Sequence, residues 1–472
     1  MRKMGKNRSV IMGGLTAMAA GWALQGCSPS VELSQPPPLL SVQWDDDIPA
    51  HRQSVPIEQS WTAFGSDELS ALIDRGRSAN PDIAIAIARI SQARGDLGVA
   101  RAVNGPLVTA SADASSDIRN LKGQTKGLDR IGSAGLDISY DLDLFGAGRS
   151  EKSAAWARLK AAGYDHQAVN LAIESDIASA FVQYAALSDR AKLLARASAN
   201  AQELERIIRL RAREGVASPL DVGLQTTQGD EIRVDMARIA EAKAISKNAM
   251  AVLLGEEAPN FGMAQISLSM LGSPEFARAQ PSDITIRRPD IKAAEARIAA
   301  ANGDVGQARA AFMPSIRLSA SSFFDVAKSG GLINAGAAGA FGLLATIFDN
   351  GRLKGRLFRA SGEQKEAVET YRKAVLTALA EVQNALASAS GSEQRLNILI
   401  SSQKIAARNA ALARQQYVEG GAYLNTVLDA DRRLIEVEES LVLAKQENLV
   451  AAITLYRALG GAPQGSGDQF YR

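Results

Sequence analysis

Residues 81–106 read PDIAIAIARISQARGDLGVARAVNGP, and residues 289–314 read PDIKAAEARIAAANGDVGQARAAFMP. Set against each other without a gap, at an offset of 208, they agree at 15 of 26 positions. Matches include Pro81/Pro289, Arg89/Arg297, Gly95/Gly303, Asp96/Asp304, Arg101/Arg309 and Pro106/Pro314. The offset is far longer than the 20–50 residues of a solenoid repeat, so the unit duplicated is a half-molecule. The segments C-terminal to the two copies are duplicated in kind. A short alternating segment, a loop and a second strand-like segment lead to FGAGR (145–149) or FDNGR (348–352), then to a long alanine-rich helical run. Each run breaks at an EG pair, Glu214-Gly215 or Glu419-Gly420, and a second helical run succeeds it. Each half therefore reads helix, strand, strand, helix, break, helix.

The helical runs are long. No proline occurs from 150 to 213 or from 353 to 418, and at 1.5 Å per residue each spans on the order of 100 Å. Aromatics are only 5% of the 472 residues, which suits slender helices better than a thick globular core. In the second half Val368, Val375, Val382, Ala389 and Leu396 form one row at seven-residue spacing. Tyr371, Ala378, Ala385, Ser392 and Leu399 form its partner, the 3.5-residue period of a coiled coil. Leu376, Leu379 and Leu386 lie off that seam and give the helix a second sticky flank. Two flanks suit a ring of helices, a hollow α-barrel; a single coiled-coil bundle needs only one.

Four segments alternate apolar and polar residues: Val108–Ser115, Leu136–Leu144, a run opening at Ile316–Ala320, and 338–348. Roughly nine to eleven residues of period two is the length of a transmembrane strand, although a soluble sandwich hairpin alternates in the same way. On the membrane reading the sheet must close, because open edges cannot face lipid. Four strands are too few. Eight, from two chains, enclose an interior filled by side chains. Three chains give twelve strands and room for a passage, so a channel requires at least a trimer. Asp137, Asp141 and Asp143 fall on the polar face of the second segment and would line the lumen.

The N-terminus carries an address. Arg2, Lys3, Lys6 and Arg8 precede an uncharged apolar stretch, VIMGGLTAMAAGWAL (10–24), the layout of a secretory signal too short for a spanning helix. It ends in Leu24-Gln25-Gly26-Cys27, and Cys27 is the only cysteine in the chain. This resembles a bacterial lipoprotein signal, which implies diacylglycerol and an acyl chain on Cys27. Gln25 departs from that pattern, standing where a small residue is usual. Ser28 follows the cysteine where Asp would retain the protein, so the resemblance implies sorting to the outer membrane. Removal of residues 1–26 takes the net charge from +2 to −2, and no basic patch with interleaved aromatics points to nucleic acid. The residues after the cysteine, with Pro36–Pro38 and Asp45–Asp47, read as an extended tether. The organisation is then signal peptide 1–26, lipidated tether 27–60, first repeat 61–260, linker 261–282, second repeat 283–460 and tail 461–472.

With these features assembled, the chain resembles the outer-membrane efflux (TolC-like) family, in particular its lipoprotein branch. The resemblance rests on DITIRRPDIKAAEA (283–296), on the paired FGAGR and FDNGR turns and on YVEGGAYLNTVLDADR (417–432), and it covers roughly residues 57–460. It implies a mainly α fold with β: a trimer whose 12-stranded barrel, four strands per chain, continues into a long periplasmic helical barrel. It further implies a passive exit duct for small molecules such as drugs or organic compounds. A periplasmic adaptor and an inner-membrane transporter would complete a tripartite pump. The tapered tip corresponds to the EG breaks. The family's gate aspartate maps onto Asp429, the arginine three residues on onto Arg432 and the tip tyrosine of some members onto Tyr417. Thr426 and Ala422 replace a second aspartate and an arginine, so ionic contacts in this gate are fewer. Two readings stand beside the efflux duct: a periplasmic coiled-coil scaffold or adaptor lipoprotein without a pore, and the same channel serving protein secretion or metal export. No enzyme is indicated. The two histidines, His51 and His166, lie in the tether and in a helix, and neither a phosphate loop nor HExxH is present, so no cofactor or metal is expected.

Overall fold

The computed structural model describes residues 57–119, 127–274, 286–327 and 333–461, together with Ile284. The signal peptide, Cys27 and most of the tether lie outside the described residues, as do the linker's end and the tail beyond Gly461. The duplication is carried into structure element by element. Helix α1 (Asp67–Ala79) is followed by α2 (Pro81–Ala102), β1 (Leu107–Arg119), β2 (Gly127–Leu142), α3 (Ala147–Arg213) and α4 (Pro219–Leu253). The second copy runs α5 (Pro289–Ala310), β3 (Ser315–Ala327), β4 (Ile333–Leu344), α6 (Arg352–Val418) and α7 (Leu424–Ala458). Equivalent helices have equal lengths: 22 residues for α2 and α5, 67 for α3 and α6, 35 for α4 and α7. No helix among the described residues is long and apolar enough to cross a membrane.

The elements group into two units, one of the described residues within 91–161 and 294–372, the other of those within 57–90, 162–293 and 373–461. The first unit holds the sheet, four antiparallel strands in the order β1-β2-β3-β4. Its strands are longer than the alternation suggested, 13, 16, 13 and 12 residues, and two ends differ. Leu144 and residues 345–348 lie past the strands, in turns that lead into α3 and α6. Below the sheet α5 packs tightly on α3. A Cβ on Gly303 would sit 2.8 Å from both the Ser150 carbonyl oxygen and Ala154 Cβ. Gly303 thus lies where the two helices approach closely. The contact is flanked by Arg158–Asp304 (2.5 Å) and by Gln307 donating to Glu151 (3.1 Å).

In the second unit α3, α4 and α7 bury Leu194, Ala197, Ile232 and Ile239, with Ile435 against them. At one edge Trp61 donates through Nε1 to Glu174 (2.8 Å) and packs edge-on against Tyr456 at 4.7 Å between centroids. This contact fixes the short 3₁₀ segment Ile57–Phe64 that precedes α1. Along α6 the expected seam is buried at Tyr371, Val375, Ala378, Val382, Ala385 and Ser392. Of the second flank, Leu376 is 59% exposed, whereas Leu379 is half-buried and Leu386 is buried within the chain, so that flank is bare only in part.

Candidate channel surfaces

The register of the sheet sorts its side chains by polarity. Leu142 stands opposite Ile316 and that opposite Leu343; Tyr140, Leu318 and Phe341 form the next row. Val108, Ile138, Ala320 and Gly339 continue the same face. Side chains alternate strictly across a pleated sheet, so the intervening rows carry the polar groups. These include Thr109 and Ser111 of β1, Asp137, Ser139 and Asp141 of β2, and Arg317, Ser319 and Ser321 of β3. Among the described residues nothing covers the apolar face: Leu136, Ile138, Leu318, Phe341 and Leu343 are 40–66% exposed. On the polar face Arg317 grips Asp141 through two hydrogen bonds of 2.7 and 2.9 Å.

Asp143 is not on that face. The strand ends at Leu142, and Asp143 turns to the N-terminus of α3, accepting from the backbone N–H of Gly148 (3.1 Å) and Arg149 (2.8 Å). A carboxylate here satisfies amides that have no partner within the helix and complements its positive end. Asp349 does the same for α6, accepting from Gly351 (3.0 Å) and Leu353 (2.8 Å). The two aspartates come from non-equivalent positions of the paired turns.

The helix breaks in the second unit are built alike. Gly215 (φ +74°) and Gly420 (φ +83°) take the left-handed conformation that ends α3 and α6. At each, a 6→1 bond (Val216 N to Arg211 O, 2.9 Å; Gly421 N to Gln416 O, 2.8 Å) pairs with a shorter-range one from the glycine itself. The restarts differ. Ser218 and Asp221 form a reciprocal capping box for α4, whereas Tyr423 offers α7 no side-chain cap. Such a cap contributes about 1 kcal/mol, so the second tip is held less firmly at its restart.

The expected tip residues divide. Tyr417 is buried, in a core with Ile208, Ala413, Leu424, Val427 and Leu428. Arg211 lies over its ring at 4.6 Å and donates to the carbonyls of Tyr417 (3.2 Å) and Val418 (3.1 Å). Thr426 is exposed in the first turn of α7, its N–H bonded to the Tyr423 carbonyl. Asp429 is exposed, and Arg432 does not reach it: Arg432 leans instead toward Glu231 of α4 at 3.9 Å. An exposed i, i+3 pair contributes only a few tenths of a kcal/mol, too little to hold Arg432 when a carboxylate on the next helix is in reach. The strong ion pair at this end is one the sequence did not single out. Arg414 Nε donates to Asp431 Oδ2 at 3.2 Å while Nη2 lies 2.9 Å from Oδ1. Asp431 is buried. Desolvation pushes its carboxyl above the usual range, and the Arg414 guanidinium pulls partly against that.

A duplicated helix–strand–strand–helix chain with one bare apolar sheet face and two open edges matches a known architecture. The family model for outer membrane efflux proteins covers residues 72–256 and 281–461, one stretch per repeat. The chain belongs to the outer membrane efflux protein family. Its relatives include the pyoverdine export outer membrane protein OpmQ of Pseudomonas aeruginosa, 32% identical over 91% of this chain and 94% of that one. The solvent efflux pump outer membrane protein SrpC of Pseudomonas putida is 28% identical over 93% and 96%. Among solved structures, the outer-membrane channel OprN superposes with a TM-score of 0.81 at 25% identity, covering 90% of this chain and 99% of its own. The open state of the MtrE outer membrane channel of Neisseria gonorrhoeae gives 0.81 at 25%, over 92% and 98%. The fold is that of the TolC-like channels, and the chain is an outer-membrane efflux channel of the kind that serves tripartite pumps.

Proposed function

We propose that three copies of this chain close into a 12-stranded barrel and conduct a small organic molecule outward, with no catalytic step. The observation that carries this is the sheet itself. One continuous apolar face is exposed, and among the described residues β1 and β4 each have a strand neighbour on one side only. In lipid such edges must be paired, and copies of the same chain supply the partners. The internal repeat supports the same reading. Gly303 of α5 is filled by α3, whereas its equivalent Gly95 on α2 has nothing within 4 Å, as expected if a neighbouring copy fills it. A head-to-tail contact of this kind closes a ring when the rotation permits.

Acyl chains on Cys27 would anchor each copy, and a periplasmic adaptor with an inner-membrane transporter would supply cargo and drive. The pyoverdine and solvent exporters among the relatives favour an organic cargo over protein or metal. Asp137 and Asp141 would line the lumen. At the tip, an exposed Asp429 from each copy would form a ring of carboxylates that attracts cations; Arg432, one turn on, leans to Glu231 instead, and Thr426 and the buried Tyr417 flank the same helix break. Single-channel conductance in planar bilayers tests this. The mature protein should give small, flickering openings, and Asp429→Ala/Arg432→Ala large, sustained ones. Equal conductance from both removes Asp429 and Arg432 from the gate. No conductance from either, with protein shown to be in the bilayer, returns the chain to a scaffold role.

A further inference from the structure

Where β2 gives way to α3 the first unit carries a pocket of about 410 Å³. Arg101, Arg149 and Lys152 line one part of it, and Tyr140, Leu142 and Leu144 another. Among the described residues the only acid in the lining is Asp143, whose two oxygens are already taken by the Gly148 and Arg149 amides. Arg149 stays close to Asp143 at 3.4 Å. Arg101 and Lys152 are exposed and have no ion pair among the described residues. The pocket therefore holds more positive charge than the chain itself neutralises.

Its other wall is the sheet's apolar face. Tyr140 and Leu142 belong to the rows completed by Leu318 with Phe341 and by Ile316 with Leu343, and Leu144 is 52% exposed just beyond the strand. Cations and a bare apolar wall thus meet at the level where strand becomes helix. That is where the hydrocarbon ends and phosphates begin if the apolar face meets lipid. A free phosphate would use the cations and gain nothing from Tyr140, Leu142 and Leu144; a phospholipid uses both. The second repeat lacks the arrangement. Lys152 stands three residues past the arginine of FGAGR, and Gly355 holds that place after the arginine of FDNGR.

We propose that this pocket binds the phosphate of an anionic phospholipid of the periplasmic leaflet, once per chain. Arg101 and Lys152 hold the phosphate, and the acyl chains lie along Tyr140, Leu142 and Leu144. The site rests on the barrel reading above, and the test separates the two. Full-length protein in detergent is titrated with phosphatidylglycerol by native mass spectrometry, in parallel with phosphatidylcholine and with inorganic phosphate as competitor. At about 1 kcal/mol per interfacial cation, or about fivefold, Lys152→Leu should weaken phosphatidylglycerol binding about fivefold. Arg101→Ala/Lys152→Ala should weaken it about 25-fold. Arg233→Ala/Arg238→Ala, which removes two exposed cations of α4, should bind as the unaltered protein does. Phosphatidylcholine should bind weakly throughout, and the conductance of each variant should be unchanged. Equal phosphatidylglycerol binding by Lys152→Leu and the unaltered protein overturns the site. Displacement of the lipid by equimolar inorganic phosphate overturns it as well, in favour of a free-anion site. Conductance of the unaltered protein tests the barrel independently of both.

Discussion

Replacing Arg211 by alanine should loosen the end of α6 without disturbing α3, in whose last turn Arg211 sits. The side chain makes two hydrogen bonds, to the carbonyls of Tyr417 and Val418 at 3.2 and 3.1 Å, and stacks at 4.6 Å over the Tyr417 ring. Those carbonyls belong to the last turn of a 67-residue helix, where no helical N–H reaches them; Tyr417 O also accepts from the Gly420 N–H at 3.2 Å. A hydrogen bond contributes about 1 kcal/mol net, and a partly exposed cation over an aromatic face about 0.5 kcal/mol. The sum is about 2.5 kcal/mol, which corresponds to roughly 70-fold in a local opening equilibrium. Gly420 and Gly421 report that opening, because their amides close the turn onto Tyr417 and Gln416. Hydrogen exchange measured by mass spectrometry should show peptides spanning Tyr417–Tyr423 exchanging about 70-fold faster in Arg211→Ala. Arg211→Lys keeps the charge but reaches at most one carbonyl and loses the flat stack, so an intermediate increase is expected. Arg213→Ala, two residues on and exposed, is the control. A change below threefold in Arg211→Ala, or one that Arg213→Ala reproduces, would refute the assignment.

Packing and charge set two further outcomes. Arg414→Ala strips the guanidinium from a buried Asp431 and should cost about 2–3 kcal/mol at neutral pH, below the ~3–5 kcal/mol of a fully enclosed pair because Arg414 is 39% exposed. Asp431 holds its proton more tightly folded than unfolded, so stability is present below the ordinary aspartate range and is lost as pH rises from there to the raised value. Thermal midpoints should fall over a wider pH window in Arg414→Ala, and that slope should flatten in Asp431→Asn; parallel curves would contradict it. Gly303→Ala places a methyl 2.8 Å from Ser150 O and Ala154 Cβ and should cost about 1–3 kcal/mol of chain stability in denaturant. Gly95→Ala, inside a helix with open space around it, should leave the isolated chain at least as stable and reduce the fraction of the proposed trimer on unheated gels. An unaltered trimer would remove α2 from the contact between copies.

Much of this architecture is legible in the sequence because it is periodic, and the misreadings occur where periodicity is mimicked or silent. The repeat located the long helices, and alternation located the first three strands, the fourth (338–348) being less cleanly patterned. Alternation runs on through Leu142-Asp143-Leu144, however, so an aspartate that caps α3 looks like one more polar position on the strand. A capping carboxylate and a lumen carboxylate are the same letter; only the position of the adjoining FGAGR turn distinguishes them. Burial hid the second kind of error. Asp431 sits two residues beyond Asp429 and reads as an ordinary charged helix residue, yet it is the one turned inward onto Arg414.

The case of Arg211 is different, because a signal was present. Its partners lie 206 and 207 residues away, and α3 and α6 begin at 147 and 352, an offset of 205. Arg211 therefore pairs with residues just past its own equivalent, Gln416. Two equivalent helix ends that lie side by side bring the terminal carbonyls of one within reach of the other's last turn. A cation there serves both as a hydrogen-bond donor and as a counter-charge to the negative end of the helix. A search confined to one repeat sees only an arginine in a run of LRAR. Superposing the two repeats shows arginine facing glutamine at equivalent tips. That asymmetry is itself informative: only one of the two tips has the donor, and the tip it restrains is the one whose next helix starts uncapped at Tyr423. The looser half of the tip is thereby assigned to the second repeat, and its tether to the first.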